Sequence, residues 1–158
     1  MKLLKWLLVI LLIILVIGVV LFFVLRSQIE RVSPMPENLG VTNGRLAPCP
    51  ESPNCVSPYE TDEEHGMEAM VLVGETAVAQ EKILAIIQAM PGSTLITNEP
   101  SYIYAEFRSP TMGFVDDVEI YFDEEAGLIQ FRSASRLGYE DMDANRNRME
   151  EIQAAYAG

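Results

Sequence analysis

The sequence is poor in the residues that most often carry chemistry. Its 158 positions hold one histidine, one tryptophan and two cysteines. A lone histidine, His65, in an acidic stretch and with no nucleophile elbow around any serine, leaves a serine-histidine-aspartate triad without support, although Ser52, Ser57, Ser133 and Ser135 are present. Cys49 and Cys55 supply only half of the four ligands that structural zinc takes. They lack the two-residue spacing and the neighbouring base of a redox pair. Glycine-rich phosphate loops, dinucleotide fingerprints and internal repeats are missing. Positive charge is scarce as well, 11 basic residues against 23 acidic, for a formal net charge of −12 at pH 7. Such a chain repels nucleic acid and anionic headgroups, so nucleic acid is not an expected partner.

The longest gap is in charge itself. Residues 6–25 carry no charged or strongly polar side chain. At 1.5 Å per residue, about twenty helical positions span the roughly 30 Å of a hydrocarbon core. Lys2 and Lys5 precede the run and Arg26 closes it. A cleaved signal peptide has a shorter apolar core and small residues at the cleavage site, whereas Phe22, Phe23, Val24 and Leu25 stand there. Cys49 lies too far downstream for a lipoprotein. We therefore expect 1–26 to be a retained single-pass membrane anchor, with the lipid bilayer as its partner. The basic flanks are nearly balanced; the free amino terminus tips the short tail to the cytoplasm and the domain outside.

Residues 27–45, with Pro34, Pro36, Gly40 and Asn43 and no sustained period, read as a tether. The globular domain occupies 46–158. It opens on Pro48, Pro50, Pro53 and Pro58, too dense for a helix interior or a central strand. Hydrophobic spacing then predicts a short strand at 69–73 and a helix at 76–90 with Val78, Ile83, Ile86, Ile87 and Met90 on one face. Pro91 and Gly92 stop it. Strands follow at 93–98, 102–108, 113–123 and 128–136, and a last helix at 143–156 sets Asn145, Met149, Ile152 and Tyr156 on one face. The order β-α-β-β-β-β-α implies an α+β fold, an antiparallel sheet with helices on one face.

Register is predictable for the last two strands. Phe114, Val118, Ile120 and Phe122 share a face with Asp116; Ile129, Phe131, Ser133, Ser135 and Leu137 mark the same face of the partner. A four-residue loop, 124–127, then sets Asp123 opposite Leu128, Glu119 opposite Arg132 and Asp116 opposite Ser135. Asp117 falls diagonal to Arg132 and Arg136, so an alternating-charge ladder is expected on a solvated outer face, each pair contributing at most about 1 kcal/mol. Asp116, on the apolar face, needs donors, for which Ser133, Ser135, Asn145 and Arg146 are the candidates. Such a network either pins the last helix to the sheet or forms a polar pocket for a ligand.

These residues fall within four ordered motifs. They are Pro-Cys-Pro-Glu-Ser-Pro-Asn-Cys at 48–55, Gly-Phe-Val-Asp-Asp-Val-Glu at 113–119, Arg-Ser-Ala-Ser-Arg-Leu-Gly at 132–138 and Asn-Arg-Asn-Arg at 145–148. Together they resemble the family catalogued as domain of unknown function 1499 (DUF1499), from residue 46 to the end. The resemblance implies a small bacterial or plastid protein, frequently with an N-terminal apolar segment, and carries no established activity. The sequence departs from the pattern at Asp143, where the family would place glycine.

Cys49 and Cys55 are open to a disulfide, two free thiols or half of a zinc site; outside the cytoplasm the bridge is favoured. The run Glu60, Asp62, Glu63, Glu64, His65 and Glu68 lacks the spacing and turn glycine of a calcium loop and reads as a flexible, solvated loop. No cofactor or metal is expected. The leading expectation is a membrane-tethered binding or scaffolding module whose envelope protein or small-molecule partner docks at a site of nine candidates: Asp116, Asp117, Glu119, Arg132, Ser133, Ser135, Arg136, Asn145 and Arg146. The competing one is an envelope hydrolase or metal-dependent enzyme using Asp116, Asp117 and Glu119; a third is a purely structural accessory subunit.

Overall fold

A computed structural model describes residues 2–158. Helix α1, Lys2–Arg31, runs past the apolar stretch and takes in the first five residues of the expected tether. Its segment Leu4–Ile29 is long and apolar enough to cross a membrane, and residues 4–21 are exposed, with no protein packed against them. Length and composition of this kind fit a membrane anchor or a signal sequence.

The remainder is α+β. Strands β1 (Cys55–Val56) and β2 (Met70–Val71) precede helix α2 (Thr76–Ala89). Strands β3 (Ser93–Glu99), β4 (Tyr102–Arg108), β5 (Val115–Asp123) and β6 (Leu128–Ser135) follow, then helix α3 (Ala144–Ala157). The sheet is antiparallel in the order β1-β6-β5-β4-β3, with β2 also paired to β6. One strand, β1, arises inside the proline-rich segment, where the proline density excludes a helix interior or a central strand but not an edge strand. It fits because it is only two residues long and lies at the sheet edge, so no proline has to donate to the ladder. Strands β4, β5 and β6 alternate strictly, whereas β3 shifts register between Leu95 and Thr97. Ile103, Ala105 and Phe107 of β4, Val118, Ile120 and Phe122 of β5, and Ile129 and Phe131 of β6 meet Ile83 and Ile87 of α2 and Met149 and Ile152 of α3 in one core. Burying each such side chain is worth roughly 1.5–3 kcal/mol, enough to hold both helices on this inner face.

Gly92 ends α2 and starts β3 in a way no other residue permits. Its φ is +78°, and a Cβ there would lie 2.5 Å from the carbonyl oxygen of Arg108, whose own N–H donates to Gly92 O. Two apolar expectations need correction at element ends. Phe114 lies before β5 in the hairpin loop, where its N–H donates to Ser109 Oγ and its ring is left exposed. Val78, in the first turn of α2, is likewise exposed, because the helix reaches the core only from Ala79 onward.

The register of β5 and β6 is the one expected, with Asp123 opposite Leu128, Glu119 opposite Arg132 and Asp116 opposite Ser135. The expectation of a solvated outer face is not met. Glu119 is fully buried, Asp117 is 1% exposed and Arg132 6%. The reason is the segment 32–46, which lies over this face as a strap: Arg136 Nη1 donates to Ser33 O, Gly40 N donates to Glu119 Oε1, and Leu46 is buried. A Thr42–Arg45 backbone bridge tightens the strap, and the Arg45 guanidinium sits 4.4 Å over the ring of Tyr59.

Candidate functional site

Strand alternation divides the candidate residues between the two faces of the sheet. On the outer face Arg136 is the hub. Its Nε donates to both carboxylate oxygens of Asp117, at 3.1 and 2.9 Å, and its Nη2 donates to Glu106 Oε1 at 2.5 Å and to Asp117 Oδ1 at 2.7 Å. Tyr104, from the neighbouring strand, donates its hydroxyl to Asp117 at 2.6 Å. Burial alone would pull the Arg136 pKa down, but hydrogen bonds to Asp117 and Glu106 outweigh it and raise the pKa. The Tyr104 hydroxyl is pushed well up, first by burial and then by its bond to Asp117. Arg136 is therefore a permanent cation, and two carboxylates and a phenol are organised around it.

Beside this hub lies a looser pair. Glu119 Oε1 accepts from Gly40 N at 2.6 Å and from the Tyr102 hydroxyl at 2.9 Å. Its Oε2 is 3.6 Å from Arg132 Nη1, too long for a hydrogen bond, so Glu119 Oε2 and Arg132 Nε and Nη1 are buried without hydrogen-bond partners among the described residues. Desolvation raises the Glu119 pKa, against the opposing pull of Gly40 N–H, Tyr102 and Arg132.

The inner face carries a separate network. Asp116 takes Arg148 Nη2 at 2.6 Å and the Ser135 hydroxyl at 2.5 Å. The Arg148 guanidinium lies 4.7 Å over the ring of Phe107 and also reaches Ser133 Oγ and Asn145 Oδ1. Asn145, fully buried, accepts from Ser133 and donates to Asn54 O, Ser135 Oγ and Asp141 Oδ2. The cation expected for Asp116 was Arg146; the structure supplies Arg148 instead. Residues three apart share a helix face, so Arg148 follows Asn145 toward the sheet, while Arg146 turns aside to the carbonyls of Glu63, Glu64 and Gly66. Asp141 bonds the Asn145 N–H and thereby caps α3, because Asp143 sits in the left-handed region at φ +60° and makes no cap of its own.

The nine candidates thus form no single site. Asp117, Glu119, Arg132 and Arg136 lie under the strap, Asp116, Ser133, Ser135 and Asn145 under α3, and Arg146 in neither group. Sequence reading missed Arg148, Tyr104, Glu106 and Asn54. The alternation of Tyr102, Tyr104 and Glu106 against three core residues placed the tyrosines and Glu106 outside, and only the covering strap turns that face into an interior.

Cys49 and Cys55 form a disulfide, with Cα atoms 5.6 Å apart. The acidic loop is more fixed than expected. His65 is 8% exposed, its Nδ1 pairs with Asp62 Oδ1 at 2.7 Å and its Nε2 faces Ser52 O. Burial would lower the His65 pKa, but the bond to Asp62 and the Ser52 carbonyl raise it. Among the described residues, no group of three or more histidine, cysteine, aspartate or glutamate side chains converges on a point that could hold a metal ion.

An apolar concavity lies elsewhere, at the end of the sheet where β2 meets β6. It is an apolar groove of 580 Å³ between β2, α2 and α3, with Val71, Val73, Val78, Lys82, Gln153 and Tyr156 on its walls. A smaller pocket of 230 Å³ lies at the opposite end, among the loops flanking Phe114 and Met142.

Comparison with curated proteins and with solved structures gives no match. Residues 45–155 match the family described as protein of unknown function (DUF1499), and this chain belongs to that family.

Proposed function

We propose that this protein is a membrane-anchored, non-catalytic docking module of the cell envelope, with α1 retained in the bilayer, its N-terminus cytoplasmic and the domain outside. The disulfide supports an oxidising compartment. Retention of α1 is supported by its direct attachment to the domain: Arg26 donates to the carbonyls of Pro110 and Thr111. In this reading the Asp and Arg residues are fasteners. Those on the outer face hold the strap, and those on the inner face hold α3. The three carboxylates of the enzyme reading do not converge, since Asp116 points to one face and Asp117 and Glu119 to the other.

The observation that carries the docking role is the groove. Val71, Val73 and Val78 are each more than 60% exposed and line one groove, which supports a docking role for it. Lys82, the charged side chain on the wall, favours an apolar segment of an envelope protein that carries an acidic residue. The test is a photo-crosslinking amino acid placed at Val73, at Val78 or, as control, at exposed Glu150 in cells. One partner crosslinked from Val73 and Val78 but not from Glu150, and lost on Lys82→Glu, is the expected result. Equal labelling from all three positions, in membranes that retain the chain, removes the groove from the account.

A further inference from the structure

We propose that the end of the domain beside α1 is a second membrane-contacting surface, whose 230 Å³ pocket takes acyl-chain segments of zwitterionic bilayer lipids. This rests on the reading of α1 as a retained anchor. The uncharged run ends at Arg26, and about twenty helical residues span a hydrocarbon core, so Arg26 marks the level where acyl chains give way to headgroups. Its Nη1 donates to Pro110 O at 3.1 Å and Thr111 O at 2.8 Å, and a Cβ at Gly113 would lie 3.6 Å from its Nε. The loop between β4 and β5 is therefore fixed at headgroup height.

That end of the domain presents exposed aromatic and apolar side chains beside the exposed carboxylates of Glu140 and Asp143. Phe114 is 41% exposed, and in the facing loop between β6 and α3 Tyr139 is 75% and Met142 87% exposed. Aromatic side chains are enriched at membrane interfaces because the ring and its polar edge each find a matching layer. Phe114, Leu137 and Met142 wall the pocket between the two loops. Four of its polar members are already engaged: Asp116 and Ser135 bond each other and Asp116 also Arg148, Ser109 Oγ accepts from Phe114 N, and Asp141 accepts from Asn145. Glu140 and Asp141 line it too, so anionic lipids are disfavoured and zwitterionic ones fit.

The experiment uses the full chain in phosphatidylcholine vesicles with or without brominated acyl chains, which quench tryptophan on contact. Trp6 is the natural tryptophan and reports on the anchor. In a Trp6→Phe background, single tryptophans are placed at Phe114, at Met142 and, at the far groove, at Val73; Tyr139→Trp is a further probe at the bilayer end that disturbs no packing. Loss of emission at 114, 139 and 142, with Val73→Trp unchanged, supports the proposal. Quenching of Trp6 in the natural chain with none at 114, 139 and 142 overturns it and leaves the anchor standing. Equal quenching at 73 overturns the assignment to this end. A Trp6 that escapes quenching brings down the anchor reading and this inference together.

Discussion

The two faces of the sheet were built from the same alternating strands but are closed by different means. The inner face is mainly apolar and covered by α2 and α3, held chiefly by area, with Ile120, Phe122, Ile129 and Phe131 buried against Ile83, Ile87, Met149 and Ile152, and at one end by the Asp116–Arg148 pair. The outer face is charged and phenolic and is covered by a strap with little apolar side chain to contribute, held by direction: Arg136 to Ser33 and Gly40 to Glu119. Area-based contacts tolerate the loss of a few atoms in proportion to the area lost. Buried ion pairs do not, because removing one partner leaves the other charged and desolvated.

The sharpest way to break the comparison is Arg136→Ala. It strands Asp117 and Glu106 inside the structure, and we expect a loss of about 3–5 kcal/mol in denaturant titrations, with Arg136→Lys recovering only part because one ammonium cannot replace the bidentate fork. On the inner face, Arg148→Ala removes a partner from Asp116, which sits nearer to solvent and keeps the Ser135 hydroxyl, so a smaller loss of about 1–3 kcal/mol is expected in the same titration. Comparable losses from the two variants would erase the distinction between the faces.

A third change acts in the opposite direction. Asp143 holds φ +60° without capping the helix it precedes, so Asp143→Gly relieves a left-handed strain and should stabilise by up to about 1 kcal/mol, read as a higher melting temperature.

The smallest effects are pH-dependent. Glu119 has a raised pKa in the folded chain, so the folded state keeps its proton longer than the unfolded one. Stability should fall as pH rises from the unfolded value of about 4.3 through the folded one and then level off, and Glu119→Gln should flatten that slope in denaturation curves. His65 also titrates higher when folded. Its contribution is complete below about pH 6.5 and is lost as pH rises through the folded pKa, which His65→Asn should abolish and the imidazole proton shift in NMR should track.

Much of the architecture was legible in the sequence because periodicity encodes it. The β5–β6 register, the Pro91-Gly92 stop and the inward face of α3 each followed from spacing alone. The candidate site was legible only as a set of residue types. Asp116 visibly needed a cation, but whether Arg146 or Arg148 provides it depends on how α3 is rotated against the sheet, and that is set by the packing of Met149 and Ile152.

By itself the amino-acid order determined the apolar helix, the strand alternation and which side chains would share a face, since these depend on residues close together along the chain. Only the tertiary structure decided that the strap returns over the charged face, that the ladder is an interior rather than a surface, and that Arg26 meets the loop between β4 and β5. Those outcomes join positions some eighty to a hundred residues apart, as in Gly40 with Glu119 and Ser33 with Arg136, and local spacing carries no signal for such closures.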